Sequence, residues 1–102
     1  MGDIFINHSN HPSTFWSEEE RRAAEVYGRI VDMAFPAISP SANELEVDEL
    51  AEANAACIIA QEPAVVLCQG EYTYTYALVK RLLAKGVCVV AVSYTHLTLP
   101  TT

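Results

Sequence analysis

The chain has 102 residues and a mass of 11.2 kDa, which makes it one domain rather than two. Hydrophobic residues make up 51%, charged residues 19%, and mean hydropathy is +0.15, a balance that fills a compact core and argues against disorder. Thirteen acidic residues against six basic ones give a formal charge of −7 and a pI near 4.7. That excludes a non-specific nucleic-acid coat, whose affinity rests on a surplus of Lys and Arg facing phosphates. A small anionic ligand held by backbone N–H groups stays open, because such a site needs no net basic charge.

Ile4-Phe5-Ile6 reads as a buried strand, ended by the polar cluster from Asn7 to His11 and by Pro12, which cannot donate to a ladder. Ser17 and Glu20 have the spacing of a capping box, and Glu18, Glu19 and Glu20 suit a helix N-terminus. That helix is expected to run to about Tyr27, stop at Gly28, and bury Ala23, Ala24, Val26 and Tyr27. Ile30-Val31 with Met33 form a second strand, and residues 37–43 a loop around Pro40. Asn43 with Glu46 marks the next helix start, from which Leu45, Leu50, Ala53, Ala56, Cys57 and Ala60 recur as an inner face until Glu62-Pro63. Residues 64–68 are a continuous apolar run, as in a strand covered on both faces.

Tyr72 to Tyr76 alternates like a strand, but the helical stretch that follows it to Gly86 favours one helix from about Tyr72. Its expected inner face is Tyr72, Tyr76, Val79 and Leu83. Residues 87–92 are a fourth buried strand. The order β-α-β-α-β-α-β predicts a small open parallel α/β sheet with helices on both faces. Strand order 2-1-3-4 is expected, as in Rossmann- and flavodoxin-like folds, with the switch point between the first and third strands.

Cys57, Cys68 and Cys88 lie among apolar neighbours with no C-x-x-C pair. They read as small core residues of a protein in a reducing compartment. Met1-Gly2-Asp3 carries no signal-peptide pattern, and Ile6 stands where myristoylation needs Ser or Thr. The apolar runs 55–60 and 87–92 fall far short of the ~20 residues that span a bilayer. A cytoplasmic protein that binds neither membrane nor duplex nucleic acid is expected.

Ligands of open α/β sheets bind beyond the carboxyl ends of the strands, at the switch point. Asn7 to His11 and Gln69 to Thr73 are the two most polar strand ends, and each precedes a helix N-terminus suited to an anion. His8 and His11 are the candidate acid–base groups, as the side chains that titrate nearest neutrality, or they simply hydrogen-bond within the loop. Asn7, Ser9 and Asn10 offer hydrogen bonds to a base or ribose, and are equally ordinary turn formers. Gly70 permits close approach of a ligand or a tight strand–helix turn. Glu71 is a proton acceptor or a helix-terminal charge, and Gln69 and Thr73 complete the candidate ligand-binding set. The chain has no G-x-G-x-x-G or Walker A sequence, so no dinucleotide cofactor is expected. His8 and His11 form an H-x-x-H pair, but no third ligand is evident beyond Glu71 or a cysteine, so no metal is expected either. Trp16 reads as a lid or core anchor.

The string Ile4-Phe5-Ile6-Asn7-His8-Ser9-Asn10-His11-Pro12-Ser13, followed by Trp16-Ser17-Glu18-Glu19, resembles the start of a small bacterial family of CRISPR-associated proteins. The likeness continues through Ala24, Tyr27-Gly28, Asp32, Phe35-Pro36 and Gln69-Gly70-Glu71 with Thr73 and Tyr76, over roughly residues 3–92. Type III CRISPR systems carry Rossmann-like ancillary proteins that sense or degrade cyclic oligoadenylates. The resemblance therefore implies a module that binds such a ring at residues 7–11 and 69–73. Cleavage, if it occurs, would be a metal-independent attack of a ribose 2′-hydroxyl on the adjacent phosphate, with His8 or His11 as base or acid. The alternative is a non-enzymatic regulatory or interaction module for another nucleotide or a protein partner. A homodimer would suit a two-fold symmetric ring.

Residues 92–102 resemble the translated sequencing-adapter read-through that ends many metagenomic reading frames, with an abrupt change to a charge-free, threonine-rich composition. The expectation is a single domain over residues 1–92 and an unrelated tail over 93–102, in place of the loop and further segment with which family members continue. His96 is accordingly left out of any site.

Overall fold

The structure, a computed structural model, describes residues 4–92 and 97–98. The readings made on residues 1–3, 93–96 (His96 among them) and 99–102 lie outside the described residues. In chain order the elements are β1 (Ile4–Ser9), a 3-10 turn (Ser13–Phe15), α1 (Glu18–Glu25), β2 (Arg29–Asp32) and α2 (Glu44–Ala60). There follow β3 (Val65–Gln69), α3 (Tyr72–Ala84), β4 (Val89–Val92) and β5 (Leu97–Thr98).

The sheet order is β2-β1-β3-β4-β5, with the first four strands parallel and in the expected 2-1-3-4 arrangement. The two-residue β5 adds an antiparallel edge, pairing Ala91 with Thr98 and Val92 with Leu97. Strand alternation sends successive side chains to opposite faces. Ile6, Val66, Cys68 and Val89 meet α2 and α3 on one face, while Phe5, Val65, Leu67 and Val90 form a second cluster with Ala24 of α1 and Trp16. Trp16 stands edge-on to Phe5, with centroids 6.1 Å apart and planes at 87°, and packs half-buried against that second cluster. Full burial of side chains such as Phe5, Ile6 and Leu67 contributes roughly 1.5–3 kcal/mol each.

Both capping boxes form. Ser17 accepts from the Glu20 N–H and Glu20 from the Ser17 N–H, and Asn43 and Glu46 exchange the same pair of bonds. Arg81 of α3 is tied to Asp48 of α2 at 2.6 Å.

The buried faces of the helices differ from the periodicity expected. In α1 only Ala24 is buried, because the helix ends at Glu25 and the chain swings away through Gly28 (φ 152°), leaving Val26 and Tyr27 exposed. In α2 the buried residues are Val47, Ala51, Ala55 and Ile58, while Leu45, Ala53, Ala56, Cys57 and Ala60 face outward and Leu50 is half-buried. From residue 55 to 60 that helix is apolar all round, so its composition there defines no unique face. In α3 the inner residues are Tyr74, Ala77, Leu78 and Leu82, with Val79 and Leu83 half-buried, whereas Tyr72 and Tyr76 stack on each other outside (6.5 Å between centroids). Of the three cysteines only Cys68 is in the core, and Cys57 and Cys88 are exposed. Among the described residues no helix is long and apolar enough to cross a membrane.

Candidate functional site

β1 does not end at Ile6. It continues through Asn7, His8 and Ser9, all buried, so three candidate site residues lie inside the sheet. Polar groups survive there because each finds a partner.

His8 shares the α2/α3 face with Ile6 and has no exposed surface. Its Nδ1 lies 3.1 Å from the Met33 carbonyl oxygen, its Nε2 2.6 Å from the Tyr74 hydroxyl. A carbonyl only accepts, so the proton is on Nδ1, and Nε2 accepts from the Tyr74 O–H. Tyr74 in turn accepts from Asn54 Nδ2 at 2.8 Å. The neutral imidazole satisfies every group in this chain, and burial holds its pKa below the ordinary 6.5 despite the opposing Met33 hydrogen bond. Burial likewise pushes the Tyr74 phenol up to about 12 and the Cys68 thiol up to about 12. Phe35 covers the group, its ring 5.3 Å from those of His8 and Tyr74. His8 is therefore an internal fastener between β1, the segment after β2, and α3, and neither ring nitrogen faces a ligand.

Asn7 and Ser9 point to the other face and form a second network. Asn7 Nδ2 donates to Asp32 Oδ1 (2.8 Å) and to the His11 carbonyl (3.0 Å), and Ser9 Oγ donates to Asn7 Oδ1 (2.6 Å). Asp32, beside Asn7 in the β1–β2 register, also accepts from the Ser13 N–H at Oδ1 (3.2 Å) and from the Ser13 hydroxyl at Oδ2 (2.9 Å). Arg21 clamps the far side through the Ser13 carbonyl (2.7 Å), and Trp16 Nε1 donates to the His11 carbonyl (3.3 Å). This network shapes a cleft of about 380 Å³ at the carboxyl ends of β1 and β2. Its lining comprises Asn7, Ser9, Asn10, Pro12 and Asp32 on one side, and residues 33–37, including Phe35, on the other.

The second candidate loop does not join it. Glu71 caps α3 by accepting from the Tyr74 N–H (2.7 Å), and Glu71 and Thr73 line a separate hollow of about 510 Å³ beside residues 38–44. Gly70 sits under the Phe35 ring, so the expected switch-point crevice between β1 and β3 is filled by that ring. The loops still touch where the Asn10 N–H donates to the Gln69 carbonyl (3.3 Å). The His11 side chain is exposed. Asp32 and Phe35 are the site residues that sequence reasoning passed over, although both belong to the matched string quoted above. Among the described residues no group of three or more His, Cys, Asp or Glu side chains could hold a metal ion.

A doubly wound parallel sheet with a cleft at its carboxyl edge defines a small Rossmann- or flavodoxin-like α/β domain. The chain belongs to the Uncharacterized protein MJ1673 family, whose model matches residues 3–97. No curated protein and no solved structure matches it.

Proposed function

We propose that this protein is an ancillary module of a CRISPR defence system that binds a cyclic oligoadenylate in the cleft over β1 and β2. The observation that carries the reading is the cleft itself, where Asn7 and Ser9 hold Asp32 in place beside an apolar wall that includes Phe35. A fixed polar group opposite an apolar surface is the usual construction of a small-molecule site. The likeness to CRISPR-associated proteins supplies the ligand class.

The arrangement favours binding over cleavage. His8 has both ring nitrogens engaged inside the core, which leaves His11 as the acid–base candidate for a ring nuclease. A homodimer would present two clefts to one ring. The test is to incubate the purified chain, without added metal, with cyclic tri-, tetra- and hexa-adenylate, and to follow binding and products by mass spectrometry. Binding of one ring without products is the expected result. Linear products ending in a 2′,3′-cyclic phosphate would replace the binding reading by cleavage. Failure of all three rings to bind would leave the alternative, a regulatory module for another nucleotide or a protein partner.

A further inference from the structure

We infer that Asp32 recognises a ribose hydroxyl of the ligand, and that the ligand's phosphates stay outside the cleft; this rests on the nucleotide-binding reading above. The charge inventory points there first. Among the described residues, Asp32 is the one charged side chain in the lining of the cleft, which contains no Lys, Arg or His. A phosphate placed beside it would meet like charge with no cation to offset the repulsion. The helix N-termini that could otherwise seat an anion are already filled by side chains of the protein. Ser17 holds the Glu20 N–H at the start of α1, next to three glutamates, and the Glu71 carboxylate holds the Tyr74 N–H at the start of α3.

The carboxylate also has acceptor capacity in a fixed direction. Among the described residues, Oδ1 takes two donors, Asn7 Nδ2 and the Ser13 N–H, while Oδ2 takes only the Ser13 hydroxyl. Each carboxylate oxygen has about two acceptor sites, so Oδ2 keeps one, and Asp32 is exposed. Because Ser9 holds Asn7 and Asn7 holds Asp32, the acceptor is oriented before a ligand arrives. It calls for an uncharged hydroxyl donor. Met33, Phe35 and Pro36 across the cleft offer an apolar wall to a planar base. A ribonucleoside unit of the ring carries both features: a free 2′-hydroxyl on one side and an apolar base face on the other.

The test is calorimetric titration of the full chain with three probes: cyclic tetra-adenylate, its 2′-deoxy counterpart, and adenosine. The 2′-deoxy ring is expected to bind about tenfold or more weakly than the ribose ring, the loss appropriate to one hydrogen bond on a charged acceptor. Asp32→Asn should weaken the ribose ring by a similar factor and change the deoxy ring by less than about twofold. Adenosine should bind, and phosphate ion at millimolar concentration should not compete with it. Equal affinity for ribose and deoxy rings, or competition by phosphate, overturns the inference and leaves the cyclic-ligand reading standing. If the ring fails to bind while adenosine binds in an Asp32-dependent way, the ring reading falls and the hydroxyl recognition stands. If neither binds, both fall. The comparison of ligands uses the unaltered protein, so it holds even if Asp32→Asn loosens the Ser13 turn.

Discussion

The Phe35 ring occupies the space that any side chain on Gly70 would need. A Cβ built there would stand 2.6 and 2.7 Å from Cε2 and Cε1 of Phe35, and closer still to Cζ. The segment after β2 is thereby packed directly on the backbone that follows β3. This contact closes the crevice where a doubly wound fold ordinarily admits a ligand, and the cleft opens instead toward β2.

Gly70→Ala should therefore destabilise the protein by about 1–3 kcal/mol, the usual range for overpacking. Phe35→Ala carries its own loss, but Gly70→Ala made in that background should cost much less, because the ring is gone. Urea denaturation of the two single variants and the double variant gives the coupling directly. Additive losses would mean that the ring does not rest on Gly70.

Tyr74→Phe removes the hydroxyl that donates to His8 Nε2 and accepts from Asn54 Nδ2. Leaving a buried acceptor unsatisfied costs about 1–3 kcal/mol. Tyr76→Phe, on the exposed side of the same helix, should change stability by less than about 0.5 kcal/mol. Equal effects for the two tyrosines, read from urea midpoints, would refute the internal role given to the His8–Tyr74 pair.

Stability should also fall on mild acidification because of His8. Unfolded, the imidazole titrates near 6.5, and folded it titrates lower because it is buried. Between those two values the unfolded chain binds more protons, so folding weakens as pH drops through the window, by at most about 1.4 kcal/mol per pH unit. Above 6.5 this effect is absent. Urea melts between about pH 7.5 and 5.5, above the usual carboxylate range, should show the slope in the unaltered protein. His11→Gln, a change at an exposed side chain, should retain it. A flat profile would contradict the buried neutral imidazole.

The three thiols should separate by reactivity. Cys57 and Cys88 are exposed, whereas Cys68 is buried with its thiol pushed up to about 12. A thiol reagent under native conditions should modify two cysteines quickly and the third only as the protein opens. Three fast thiols would argue against the packing around β3.

Local signals were legible in the chain and long-range ones were not. The Ser17–Glu20 and Asn43–Glu46 boxes each lie within four residues, and the structure forms both. The four parallel strands follow from apolar runs and the handedness of their connections. The inner faces of α2 and α3 do not follow from periodicity because alanines and tyrosines are distributed around those helices, so neighbours decide which side is buried. Tyr74 lies inside and Tyr72 and Tyr76 outside because Tyr74 finds His8, 66 residues away in sequence. The same pairing moves His8 from a loop into the core. The cleft was half legible: Asn7, Ser9 and Asn10 line it, but Gln69 and Gly70 do not, and Glu71 and Thr73 face another hollow. What separates them is the Phe35 ring, whose position over Gly70 no local pattern announces.

The most direct test of the account is where the ligand sits. Backbone amide shifts of the labelled chain, followed during titration with cyclic tetra-adenylate, should move at residues 7–13 and 32–37 around Asp32. The amides facing the α2–α3 groove, near Asp48, Tyr76 and Lys80, should stay in place. Shifts centred on that groove, with residues 7–13 and 32–37 unmoved, would contradict the assignment of the cleft.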